Sequence, residues 1–91
     1  MNDICRAALD TYGAEAQIMM VFEEMAELQK ELCKNTRGSR NTVDIAEEIA
    51  DVEIMLAQMK LLFDIVKETE DWKAVKLARL KRRLEDARSA R

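Results

Sequence analysis

Two acidic pairs, Glu24 with Glu27 and Glu48 with Asp51, occupy equivalent places in two stretches that nearly repeat each other, residues 21–32 and 45–56. A spacing of three puts both members of a pair on one side of a helix. Two such helices lying side by side would bring four carboxylates together. At an effective dielectric near 20, like unit charges about 4 Å apart repel by about 4 kcal/mol, so a cluster of this kind calls for a cation. All the candidate ligands are hard carboxylate oxygens. The chain has 0 His, and neither Cys5 nor Cys33 adjoins the pairs, so zinc and a Glu-x-x-His di-iron site are disfavoured. Mg²⁺ fits the donor set best, with Mn²⁺ as its substitute, and Mg²⁺ commonly bridges protein carboxylates to phosphates. The pattern therefore implies a phosphate-bearing ligand.

A lone Glu-x-x-Glu on a helix is ordinarily a solvated face. What raises this one is duplication in matched phase. With Val21 set to zero and about 100° per residue, Met25, Leu28 and Leu32 fall within about 40° of it, Glu24 near 300°, Glu31 near 280° and Glu27 near 240°. With Ile45 set to zero, Glu48 again lands near 300° and Asp51 near 240°. The expectation is that the two apolar stripes face each other and the acidic pairs meet at the margin.

The elements that must position these groups are helical. A short amphipathic start, Ile4 to Leu9, stops near Tyr12-Gly13. A long helix comes next over about 14–34, then the polar, glycine-containing stretch 35–41 as the loop of a hairpin. Thr42 is the expected N-cap of a second long helix, whose Ile45, Ile49, Val52, Leu56, Met59, Phe63 and Val66 alternate at spacings of four and three. No Gly or Pro divides it from the C-terminal segment. Thr69, before Glu70 and Asp71, is the expected N-cap of a third long helix carrying Trp72, Val75, Leu77, Leu80 and Leu84, with one continuous helix over 43–88 as the competing reading. The methionines at 19, 20, 25, 55 and 59 read as core or interface filling, and Trp72 as a packing anchor.

Composition agrees: 48% hydrophobic and 36% charged residues with 2 Gly and 0 Pro describe an all-α chain, read here as one domain over 1–91 with its core over about 14–88. Ninety-one residues bury a modest core, so a homo-oligomer, dimer or tetramer, is expected to complete a four-helix bundle from paired hairpins. The net charge of −3 conceals an asymmetry: residues 1–71 hold 7 basic and 16 acidic side chains, whereas residues 72–91 hold 8 basic and 2 acidic. The acidic body argues against nucleic acid as a partner. No run approaches the roughly 18 apolar residues of a membrane span, and two distant cysteines suggest no disulfide framework, which points to a reduced, cytoplasmic setting.

Glu23-Glu24-Met25-Ala26-Glu27 and Glu48-Ile49-Ala50-Asp51, separated by a short hairpin, resemble the MazG-like all-α nucleoside triphosphate pyrophosphohydrolases, whose pattern is Glu-Glu-x-x-Glu on one helix and Glu-x-x-Asp on the next. The resemblance covers roughly residues 14–83. It implies that Glu24, Glu27, Glu48 and Asp51 hold Mg²⁺ and serve catalysis, and that a (deoxy)nucleoside triphosphate is cleaved to the monophosphate and pyrophosphate. It also implies phosphate contacts from a later helix. Lys76 and Arg79, with Arg83 a turn on, look like that element, although the asparagine often found there is absent. On the first helix Lys34, near 220° and beside Glu27, is the lysine placed to join them, whereas Lys30 points toward Glu23. The related phosphoribosyl-ATP pyrophosphohydrolases offer a second substrate class. The reading from a different class is a non-enzymatic helical adaptor, whose heptad-like stripe binds a partner helix and whose carboxylates keep it in solution.

Overall fold

The computed structural model describes residues 1–90, which form four helices: α1 (Asn2–Tyr12), α2 (Ala14–Thr36), α3 (Thr42–Leu62) and α4 (Val66–Ser89). No strand occurs among the described residues. The all-helical expectation holds, and the hairpin of α2 and α3 is the most extensively packed pair, with α1 laid against both. Cys5, only 1% exposed, fixes α1 to that hairpin.

Each joint has its origin in local chemistry. Gly13, at φ 90°, takes a backbone conformation that side chains disfavour, and its N–H donates to the Leu9 carbonyl as α1 ends. After α2, the N–H groups of Arg37, Gly38 and Ser39 turn back onto the carbonyls of Lys34 and Asn35, with Gly38 at φ 102°. Thr42 is the first residue of α3 rather than its cap. Asn41 precedes it, but the Asn41 side chain makes no capping bond and reaches across the loop to α2 instead.

The continuous-helix reading fails at residues 63–65. Asp64 adopts φ 54°, the Ile65 N–H donates to the Lys60 carbonyl at 3.0 Å, and the Asp64 N–H donates to the Leu61 carbonyl at 3.2 Å. That is the left-handed helix stop usually built on glycine, here carried by an aspartate, which tolerates positive φ better than most side chains. Helix α4 therefore starts before Thr69. The hydroxyl of Thr69 is not a cap: it donates to the Ile65 carbonyl one turn back, at 2.7 Å.

The rotation of the hairpin helices also departs from expectation. Val21, Leu28, Ile45 and Val52 are half-buried, but Met25, Leu32, Ile49, Leu56 and Phe63 are exposed. The side chains most enclosed between α2 and α3 are Gln17, Glu31, Met55 and Gln58. Of the methionines only Met55 is buried, and Trp72, expected as a packing anchor, is 56% exposed. Helix α4 has no buried residue and touches only α3.

Candidate metal centre

On α2, Gln17, Glu24 and Glu31 recur every seventh residue and so share a line along the helix, about 10 Å between steps. The facing line on α3 runs the other way. The Gln17 amide donates to the Gln58 carbonyl oxygen at 2.6 Å, and seven residues away along each arm of the hairpin Glu24 meets Asp51. At the loop end, Glu31 is held by Asn41, whose amide donates to the Glu31 carbonyl at 2.8 Å and to its carboxylate at 3.0 Å, and by the Lys34 ammonium at 3.1 Å. The hairpin is thus threaded by three polar layers two helical turns apart, and the middle one is acidic.

In that layer one carboxylate oxygen from each of Glu24, Glu48 and Asp51 lies within 4.8 Å of the others. All three residues are half-buried, and Oε2 of Glu48 is enclosed with no hydrogen-bond partner. Burial, then the charges of Asp51 and Glu48, hold the Glu24 carboxyl above its ordinary range. Burial, then Asp51 and Glu27, does the same to Glu48. Glu31 is the contrast, since the hydrogen bonds from Asn41 and Lys34 draw its carboxyl below the ordinary range. Both shifts in the trio say that negative charge there is poorly compensated. Three convergent hard oxygens, on residues one of which, Glu48, also has a buried and unpartnered carboxylate oxygen, are a donor set that can hold a metal ion.

Of the residues singled out in the sequence, the structure brings together Glu24, Glu48 and Asp51. Glu27 lies outside the trio, exposed on α2, yet close enough for its charge to act on both Glu24 and Glu48. Lys34 stands at the loop end, ion-paired with Glu31. Lys76, Arg79 and Arg83 are exposed on α4, the Lys76 ammonium 5.8 Å over the Trp72 ring. Among the described residues no ion pair joins an α4 cation to Glu24, Glu27, Glu48 or Asp51. The polar layers on either side of the trio escape a reading of the sequence because Gln17, Gln58 and Asn41 look like surface residues in isolation. The sevenfold spacing of Gln17, Glu24 and Glu31 is the signal that could have found them.

No family model, no curated protein and no solved structure matches the chain.

Proposed function

We propose that the chain is a Mg²⁺-dependent nucleotide pyrophosphohydrolase, acting in the cytoplasm on a (deoxy)nucleoside triphosphate and releasing the monophosphate and pyrophosphate. One observation carries the reading: Glu24, Glu48 and Asp51, from two different helices, converge on a place where an oxygen of Glu48 is buried without a partner. A solvated acidic face would splay these groups into water, whereas here they are gathered at a cost that a hard cation offsets. The specific reaction comes from the resemblance.

In this reading Glu24, Glu48 and Asp51 hold Mg²⁺, or Mn²⁺ in its place, which supplies neutralising charge for a triphosphate and a lowered pKa for water. Glu27, at the edge of the trio and exposed, orients the attacking water and accepts its proton. Lys34, Lys76, Arg79 and Arg83 furnish positive charge toward the phosphates and the departing pyrophosphate. The exposed stripes of the hairpin are covered in a homo-oligomer, a dimer or tetramer that completes a four-helix bundle.

The same exposed stripes favour a second reading, a helical adaptor that binds another protein and turns over nothing. One experiment separates the two. The protein is incubated with a panel of nucleoside triphosphates and Mg²⁺, and products are followed by phosphorus NMR. Monophosphate with pyrophosphate is the expected result, and Glu48→Gln is expected to abolish it while leaving helix content unchanged. Diphosphate with phosphate would contradict the point of attack, and an inert panel would leave the adaptor.

A further inference from the structure

The half of α3 that carries Glu48 is held to the hairpin by very little packing. From Thr42 to Ala50 no side chain is buried, and only Ile45 and Glu48 are half-buried. The buried residues of α3, Met55 and Gln58, both lie beyond Asp51, and no side-chain cap fixes the start of the helix. A helix is ordinarily oriented by the apolar face it buries, so some other contact must set how this half is turned about its axis. That contact acts against repulsion, because the carboxylates of Glu24, Glu48 and Asp51 push α2 and α3 apart where they meet.

Asn41 supplies it. At 8% exposure it is the one buried residue between Glu31 and Met55. Its amide nitrogen donates to the Glu31 carbonyl at 2.8 Å and to the Glu31 carboxylate at 3.0 Å, and its amide oxygen accepts from the Asn35 amide at 3.3 Å. The donors and the acceptor of this side chain are thus all engaged on α2. Glu31 is itself fixed, since its other carboxylate oxygen meets the Lys34 ammonium at 3.1 Å. The backbone carbonyl of Asn41, meanwhile, accepts the Ile45 N–H at 3.0 Å as α3 begins. One residue therefore belongs to both helices, its side chain locked on α2 and its backbone opening α3. Three bonds to a planar amide fix rotation as well as distance. Glu48 follows Asn41 by seven residues, and Glu24 precedes Glu31 by seven, so clamp and acidic layer stand two turns, about 10 Å, apart on both helices. A rotation of α3 at the clamp is passed directly to Glu48.

We infer that Asn41 is a positioning residue of the metal centre: by gripping Glu31 it sets the rotation of the first half of α3 and so brings Glu48 to Glu24 and Asp51. This role rests on the metal-binding reading above, and it gives that site a residue that touches neither the ion nor a phosphate.

The test needs no nucleotide. Mg²⁺ affinity of the full chain is measured by calorimetric titration, beside helix content and thermal melting, for the parent, Asn41→Ala, Asn41→Asp and Asn35→Ala. Asn41→Asp separates position from charge. It keeps the shape of the side chain but sets a carboxylate against the Glu31 carbonyl and carboxylate, which opens the clamp; the added negative charge would by itself tighten cation binding. Asn41→Ala and Asn41→Asp are each expected to stay helical and to bind Mg²⁺ roughly tenfold more weakly, the lower end of the range for residues that orient metal ligands. Asn35→Ala alters an exposed side chain and leaves the Asn41–Glu31 bonds, so it carries the test if the other two do not fold. Its expected loss is about threefold, the weight of one weak hydrogen bond. Parent-like affinity in folded Asn41 variants that merely melt lower would make Asn41 a structural loop residue and overturn the inference. Tighter binding by Asn41→Asp would overturn it too, as would unchanged binding by Asn35→Ala where that variant alone folds. A parent that binds Mg²⁺ no better than these variants loses only this role, whereas a parent that binds none loses the metal-binding reading and this role with it.

Discussion

The Gln17–Gln58 pair gives the sharpest test of how the hairpin is held in register. The two amides meet at 2.6 Å, at 6% and 5% exposure, two helical turns from the Glu24–Asp51 contact on both helices. Gln58→Leu keeps the volume roughly constant but leaves the Gln17 amide enclosed without its acceptor. Stranding a buried neutral group in this way costs about 1–3 kcal/mol. For a domain of this size each kcal/mol moves the melting temperature by about 4–8 °C, so a fall on the order of 5–20 °C is expected from either single leucine substitution. Replacing both amides removes the stranded group, and exchanging a buried hydrogen-bonded pair for apolar side chains of similar shape is close to neutral or stabilising.

The double variant should therefore recover most of the stability that each single variant loses. That corresponds to a coupling of about 2–6 kcal/mol between the two positions, the sum of the two single losses. The four proteins are compared by thermal and urea denaturation at one fixed subunit concentration, because association contributes to apparent stability. If the two losses simply add in the double variant, the amides do not act on each other in solution, and the antiparallel register that places Glu24 against Asp51 has lost its support.

The acidic layer makes its own predictions. Glu24 and Glu48 sit above their ordinary value of 4.5, so as pH falls from neutral the folded chain takes up protons before the unfolded one and becomes more stable, a gain complete once pH is below 4.5. Glu31 acts oppositely, and its contribution is lost as pH falls from 4.5 through its lowered value. Metal-free protein should thus show maximal stability at mildly acidic pH in urea titrations, and Glu48→Gln should flatten the rise; stability falling steadily from neutral pH would contradict this. Mg²⁺ at about a hundred times its dissociation constant should stabilise the native protein by about 2.7 kcal/mol at neutral pH, and calorimetry should find that gain absent in Glu48→Gln. Glu27→Gln should lower kcat by about 10²–10⁴-fold while Mg²⁺ affinity from calorimetric titration stays within a few-fold of the parent, since Glu27 lies outside the trio. A matching collapse of metal affinity would make Glu27 a ligand instead.

Apolar periodicity found the helices and the loop at 35–41 because it reports which residues avoid water, but it does not say what they meet instead. Met25, Leu32, Ile49 and Leu56 repeat as a stripe facing the other hairpin helix would, yet the structure leaves them exposed and turns Gln17, Glu24 and Glu31 inward. The same spacing serves an interface within a chain and one between chains, and only the position of the polar line distinguishes them. That line leaves only the seven-residue spacing of Gln17, Glu24 and Glu31 as its mark, and each of these residues alone reads as surface. The acidic trio was legible from the matched phase of the two acidic pairs, whereas Asp64 escaped notice because a left-handed stop without glycine leaves no mark in composition. The rotation that hides polar side chains and bares apolar ones is costly for one hairpin alone. In the homo-oligomer proposed here a second copy would cover the bare side and offset that cost.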